Sequence, residues 1–116
     1  MTIIERRPKL NRFFECKLTP QQAFVFEMVE KRDLQALKTP VRFHLTCNDV
    51  NCFNNKRQTP LIIAVMNGDV EIVKFLLMKG AECKLKGPGS KIALEFAEDN
   101  DDPEVINLIL FLDFLI

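Results

Sequence analysis

Two stretches of the chain superpose at an offset of 33 residues, and no other feature narrows the fold as much. Thr59-Pro60-Leu61-Ile62-Ile63-Ala64 lies over Ile92-Ala93-Leu94-Glu95-Phe96-Ala97, and the register then holds. Glu71, Ile72, Val73, Leu76 and Leu77 fall on Glu104, Val105, Ile106, Ile109 and Leu110, while Asp49-Val50 falls on Glu82-Cys83. A unit this short cannot bury its own apolar face, so a chain with such a period gains a core by stacking neighbours.

The residues inside the period have physical tasks. Thr59 can cap a helix with its hydroxyl, and Pro60 suits the first helical position, where a missing N–H costs nothing. Leu61 and Ala64 share a face, the alanine being small enough to let paired helices approach. Gly68 fits a left-handed helix end. Ile72, Val73, Leu76 and Leu77 recur at helical spacing and predict a second, buried helix. The central unit, from Asp49-Val50-Asn51 through Thr59-Pro60-Leu61, Ala64, Asn67-Gly68, Glu71-Ile72-Val73, Leu76-Leu77 and Lys79-Gly80-Ala81, closely resembles the ankyrin repeat. The resemblance implies an all-α solenoid of stacked helix-turn-helix units with finger-like β-turn loops. One departure stands out: the family usually has His after Thr-Pro-Leu, tying adjacent turns, and this chain has Ile62.

The flanking units are more divergent. Thr19-Pro20 with Gln22 three places on is a capping-box pattern, followed by Phe24, Val25, Met28 and Val29 and then by Asp33, Leu34 and Leu37. This first unit carries seven extra residues, assigned to a longer first helix and to an insert from Thr39-Pro40 to Thr46. In the last unit Asp102 is placed to cap and Pro103 to start a helix running to about Leu112, with Asp101 at the glycine position. The expected organisation is an N-terminal segment, 1–18, and a repeat domain, 19–116, of three units at about 19–51, 52–84 and 85–116. The basic and aromatic start, Arg6-Arg7-Pro8-Lys9-Leu10-Asn11-Arg12-Phe13-Phe14, reads either as a cap over the first repeat or as a docking peptide or nuclear address.

Charge and composition exclude classes. Sixteen basic and sixteen acidic residues balance over 116, which gives no argument for nucleic acid or an anionic membrane. The balance is uneven along the chain: all sixteen bases and nine acids lie at or before Lys91, and seven acids with no base follow it. No apolar run exceeds six residues (61–66), and the tail run 108–112 has five, far below the roughly 20 residues of a membrane span. The N-terminus reverses the order of a secretory signal, so a cytoplasmic or nuclear protein with reduced cysteines is expected.

Catalysis finds little support. His44 is the only histidine, and no nucleophile elbow or phosphate loop accompanies it. Gly87-Pro88-Gly89-Ser90 lacks the Lys-Ser/Thr ending of a phosphate loop and reads as a tight turn between repeats. Cys47 and Cys52 are spaced too loosely for a zinc knuckle, even with His44 and Cys16 or Cys83 nearby, and the acidic run 95–104 fits no calcium loop. No cofactor or metal is expected, and no enzyme. Cys83 reads as a small core residue in place of the turn valine. Asn51 resembles sites of asparagine hydroxylation in other ankyrin repeats and also reads as a structural turn residue.

The resemblance implies a protein-protein interaction module, an adaptor or regulatory scaffold, with no small-molecule substrate. The alternative is a small stand-alone inhibitor of an enzyme or transcription factor, since Lys84-Leu85-Lys86-Gly87-Pro88 and the length resemble myotrophin-like single-domain members of the family. By ankyrin geometry the contact residues are Phe53, Asn55, Lys56, Arg57 and Gln58 at the finger and Ile63, Met66 and Asn67 on the first helix. Lys86, Lys91, Phe96, Asp99 and Asn100 continue the surface into the next unit. Phe53, an aromatic at a usually polar tip, is the expected hot spot. The segment 105–116 is apolar except for Asn107 and Asp113, so a second copy, another protein, further sequence or self-burial along the stack is expected to cover it.

Overall fold

Threonine hydroxyls and aspartate carboxylates set the starts of the helices, and the repeat follows from them. The computed structural model describes residues 18–38 and 45–115, with side chains through 112. The elements are α1 (Pro20–Lys31), α2 (Leu34–Lys38), α3 (Cys47–Val50), α4 (Pro60–Asn67), α5 (Val70–Met78), α6 (Ala93–Asp99) and α7 (Pro103–Leu115), with a 3-10 turn at Pro88–Ser90. No strand occurs among the described residues, so the fold is the all-α solenoid that the resemblance implies.

Thr19 and Gln22 form the expected capping box: the hydroxyl accepts from the Gln22 N–H at 3.1 Å and the Gln22 amide oxygen accepts from the Thr19 N–H at 3.0 Å. Thr59 is buried, and its hydroxyl accepts from the Ile62 N–H at 3.1 Å, which satisfies both groups. At the equivalent place in the last unit Ile92 has no acceptor to offer. There the Glu95 carboxylate accepts from the Ile92 N–H instead. The second helix of every unit starts under an aspartate: Asp33 accepts from Ala36, Asp69 from Ile72 and Asp102 from Val105. The turn between the paired helices takes a left-handed residue each time, Arg32 (φ 58), Gly68 (φ 69) and Asp101 (φ 55).

The first helices, α1, α4 and α6, pack in one row; behind them α5 packs on α7. A continuous core runs through the stack. Val25 and Val29 of α1, Leu61, Ala64 and Val65 of α4, Ile72, Val73 and Leu76 of α5, Ala97 of α6 and Val105 of α7 are all at most 1% exposed. Ala64 and Ala97, one period apart, have no exposure at all, as close helix approach requires. The extra length in the first unit is partly in α1, twelve residues against eight in α4. The sequence 39–44 and the N-terminal segment 1–17 lie outside the described residues, and Leu18 packs half-buried on the core. At Asp49-Val50, where a turn is expected, a single helical turn forms, because the Asp49 carboxylate accepts from the Thr46 N–H at 2.8 Å.

Candidate functional site

The finger loop, 53–58, is built around one side chain. Asn54 Oδ1 accepts from the N–H groups of Lys56 and Gln58, both at 2.9 Å, and Asn54 Nδ2 donates to Gln58 Oε1 at 3.0 Å. The backbone closes as well, Asn54 N–H to the Gln58 carbonyl, and Arg57 takes a left-handed φ of 63° at the bend. Local side-chain bonds of this kind let an irregular loop keep one conformation. Asn55, Lys56 and Arg57 are exposed at its tip, with Phe53 and Gln58 half-buried at its base.

The loop leads directly to the α4 surface. Gln58 Nε2 approaches Met66 Sδ at 3.9 Å, and Met66 is 45% exposed at the end of a helix whose residues 60–65 are all buried. Asn67 is half-buried beside it. Ile63 differs from expectation: at 7% exposure it belongs to the core and offers no contact surface. It is one of six consecutive buried residues, 60–65, and belongs to the continuous core of the stack.

In the next unit Lys91, Phe96 and Asp99 form one cluster. The Lys91 ammonium donates to Asp99 at 2.6 Å and stands 5.8 Å from the Phe96 ring centroid. The hydrogen bond that Lys91 donates to Asp99, and then the carboxylate's charge, hold the Lys91 pKa above its ordinary value. Asn100 is used structurally, its amide donating to the Val65 and Met66 carbonyls at 3.1 and 3.3 Å and tying α6 to the end of α4. Lys86 is exposed. Of the candidate contact residues, those accessible at the surface are the finger tip, Met66, Lys86 and the Lys91–Phe96–Asp99 cluster.

Asn51 joins consecutive turns. Its Nδ2 donates to the Gly80 carbonyl at 2.9 Å and its Oδ1 accepts from the Glu82 N–H at 2.7 Å, the structural task its turn position suggests. With Ile62 in place of the family's histidine, this asparagine links one turn to the next. Cys52 and Cys83 are buried and Cys47 is exposed, and the Cys52 thiol donates to the Asp49 carbonyl at 3.5 Å. No group of three or more metal-capable side chains forms among the described residues, where His44 and Cys16 are not included. No helix of the described residues is long and apolar enough to cross a membrane.

Two features were not expected from the sequence. One is that the aspartate cap expected at Asp102 recurs at Asp33 and Asp69, where the same signal was available. The other is a groove between α2 and α5, which depends on how short α2 is, and helix ends are poorly marked by apolar spacing.

The family model described as ankyrin repeats in many copies matches residues 45–97. The ankyrin repeat protein FPV024 of fowlpox virus is 41% identical over 61 residues, 52% of this chain and 10% of that protein. The Notch-regulated ankyrin repeat-containing protein of Homo sapiens is 28% identical over 92 residues, 78% of this chain and 81% of that protein. Among solved structures, a chain in the complex of a predatory endopeptidase from Bdellovibrio bacteriovorus with an immunity protein superposes with a TM-score of 0.60 at 30% identity, covering 83% of this chain and 47% of that one. The ankyrin repeat domain of Bcl-3, a member of the IkappaB protein family, superposes with a TM-score of 0.55 at 23% identity, covering 83% of this chain and 41% of that one, a likeness of fold. This chain thus spans a tenth of the fowlpox protein and less than half of either solved chain.

Proposed function

Because this chain belongs to the ankyrin-repeat family, we propose that it is an adaptor or regulatory module that grips a partner protein with its finger loop and the adjoining first-helix surface. Ankyrin stacks are in general protein-interaction scaffolds, and the partner is set by the side chains at these positions. The observation that carries the reading is Met66: a large apolar side chain, 45% exposed, beside an ordered loop that presents Lys56 and Arg57. Apolar anchors ringed by polar groups concentrate binding energy. Phe53 at the loop base and the Lys91–Phe96–Asp99 cluster extend the surface on either side. A partner with an acidic patch next to an apolar pocket fits it.

The test is affinity capture from the source cell with the wild type and with Met66→Asp combined with Arg57→Glu. Both positions are exposed, so the fold is expected to survive and the partner's yield to fall at least about tenfold. Equal capture of the same proteins by both would sink the surface assignment. The second reading, a stand-alone inhibitor of an enzyme or transcription factor, draws support from the likeness to a chain in the endopeptidase and immunity protein complex. It predicts that the purified chain lowers the activity of a captured enzyme without a third component; an adaptor leaves that activity unchanged.

A further inference from the structure

The second helix of the first unit, α2, has five residues where its counterpart α5 has nine. At about 1.5 Å per residue, α2 is about 6 Å shorter than α5, and among the described residues no other helix flanks α5 on that side. The first helices pack continuously through the stack and α5 packs well on α7, but α2 and α5 touch only sparsely. A groove of about 690 Å³ opens between them. Its floor is apolar, with Leu37 and Leu45 on one side and Phe75 and Met78 on the other. Met78 is 73% exposed, and the Lys79 ammonium stands 5.8 Å from the Phe75 ring centroid. The rim carries Lys38, Lys74 and Lys79 against the one carboxylate of Glu71. None of these lysines is in an ion pair among the described residues.

The other end of the stack has the inverse character. On α7, Val105 and Ile109 face the core, while Leu110 and Phe111 are 49% and 61% exposed. Glu104 and Asn107 are exposed and share the Phe111 stripe of the helix. No basic residue follows Lys91 in the sequence.

We propose that the groove between α2 and α5 receives the outer face of α7 from a second copy of this chain. Phe111 and Leu110 enter the apolar floor, and the Glu104 carboxylate meets the lysine rim. The occupant is a second copy and not the chain's own helix, because α7 already packs on the opposite flank of α5. The contact is heterologous, one copy's groove on the next copy's α7, so copies add head to tail. Two apolar side chains and a few exposed charges make a small interface, with a dissociation constant on the order of 100 µM or weaker.

The experiment is sedimentation velocity of the full chain from about 10 µM to about 1 mM, a range that brackets a weak contact of this kind. The sedimentation coefficient should rise with concentration and flatten at high salt. Lys74→Glu with Lys79→Glu closes the groove, and Phe111→Asp removes the knob; all three positions are exposed, and unchanged melting will confirm the fold. Each variant alone should stay monomeric, and an equimolar mixture should form dimers that grow no further, one intact groove meeting one intact knob. Met78→Glu, in the groove floor, should match the lysine pair. A wild type monomeric throughout overturns the proposal. So does association lost in Phe111→Asp but kept in the groove variants, which would mean α7 pairing with α7. A mixture that remains monomeric also overturns it.

Discussion

Asn51 shows how much of a repeat junction one side chain can hold. Its amide makes two hydrogen bonds to the backbone of the next turn, at Gly80 and Glu82. Asn51→Ala leaves a carbonyl and an N–H without those partners, so a loss of about 1–3 kcal/mol is expected. Equilibrium unfolding in urea reads it as a lower midpoint at unchanged slope, and an unchanged midpoint would deny the junction its importance. Gly87 is a second single-residue constraint. A Cβ built there would come within 2.5 Å of Ile62 Cδ1 and 3.3 Å of the Arg57 carbonyl. Gly87→Ala is expected to cost about 1–3 kcal/mol by overpacking. Ile62→Val removes the offending methyl and should recover part of that loss in the double variant, although alone it costs about 0.5–1.5 kcal/mol. Additive costs in that cycle would show that the two positions do not meet. The task of Asn51 was readable from Asp-Val-Asn as a turn, but its partners were not, because they depend on the neighbouring repeat's position. Ile63 failed as a surface residue for a related reason: family geometry assigns a face, and the local apolar run decides how deep that face lies.

Each helix of the repeat is set by its first and last turns more than by its middle. Thr19, Thr59, Asp102 and Gly68 were all legible as signals, since capping chemistry is local and needs no tertiary context. The lengths of α2 and α7 were less so. The 3.6-residue pattern of Leu34 and Leu37 does not say where α2 stops, and the groove beside it follows from that end. The left-handed turn between paired helices is the weakest local choice in the outer units. It falls on Gly68 in the centre, at little cost, but on Arg32 and Asp101 at φ 58 and 55 on either side. A side chain in that conformation is strained by about 1–2 kcal/mol, of which a glycine's greater freedom in the unfolded chain takes back a part. Asp101→Gly is therefore expected to stabilise the last unit by about 0.5–1 kcal/mol, raising the thermal midpoint by a few degrees. A lower midpoint would mean that Asp101 makes up for its backbone through contacts with its surroundings.

The whole molecule is neutral by count and polar by arrangement. The exposed bases Lys56, Arg57, Lys74, Lys79 and Lys84 lie in the central unit and Lys86 at the very start of the last, while Glu95, Glu98, Asp99, Asp101 and Glu104 are exposed further along that last unit. Solenoid stacking keeps residues that are distant in sequence distant in space, so the split in the sequence becomes two poles on the surface. Compact folds with longer-range crossings would mix them. Two poles of this kind orient an incoming partner and speed its encounter more than they add to affinity. They also predict a behaviour that net charge alone does not. Near pH 7, close to the sequence pI of 6.6, an evenly mixed surface would pass through both anion and cation exchangers. This chain should be retained by both at about 10 mM salt and released from both by about 0.15 M, where the screening length falls to about 8 Å. Replacing Lys84 and Lys86 with glutamate should abolish retention on the cation exchanger and strengthen it on the anion exchanger. Flow-through on both resins at low salt would mean that the poles are too diffuse to act on a charged surface, and with them the charge-guided encounter would fall.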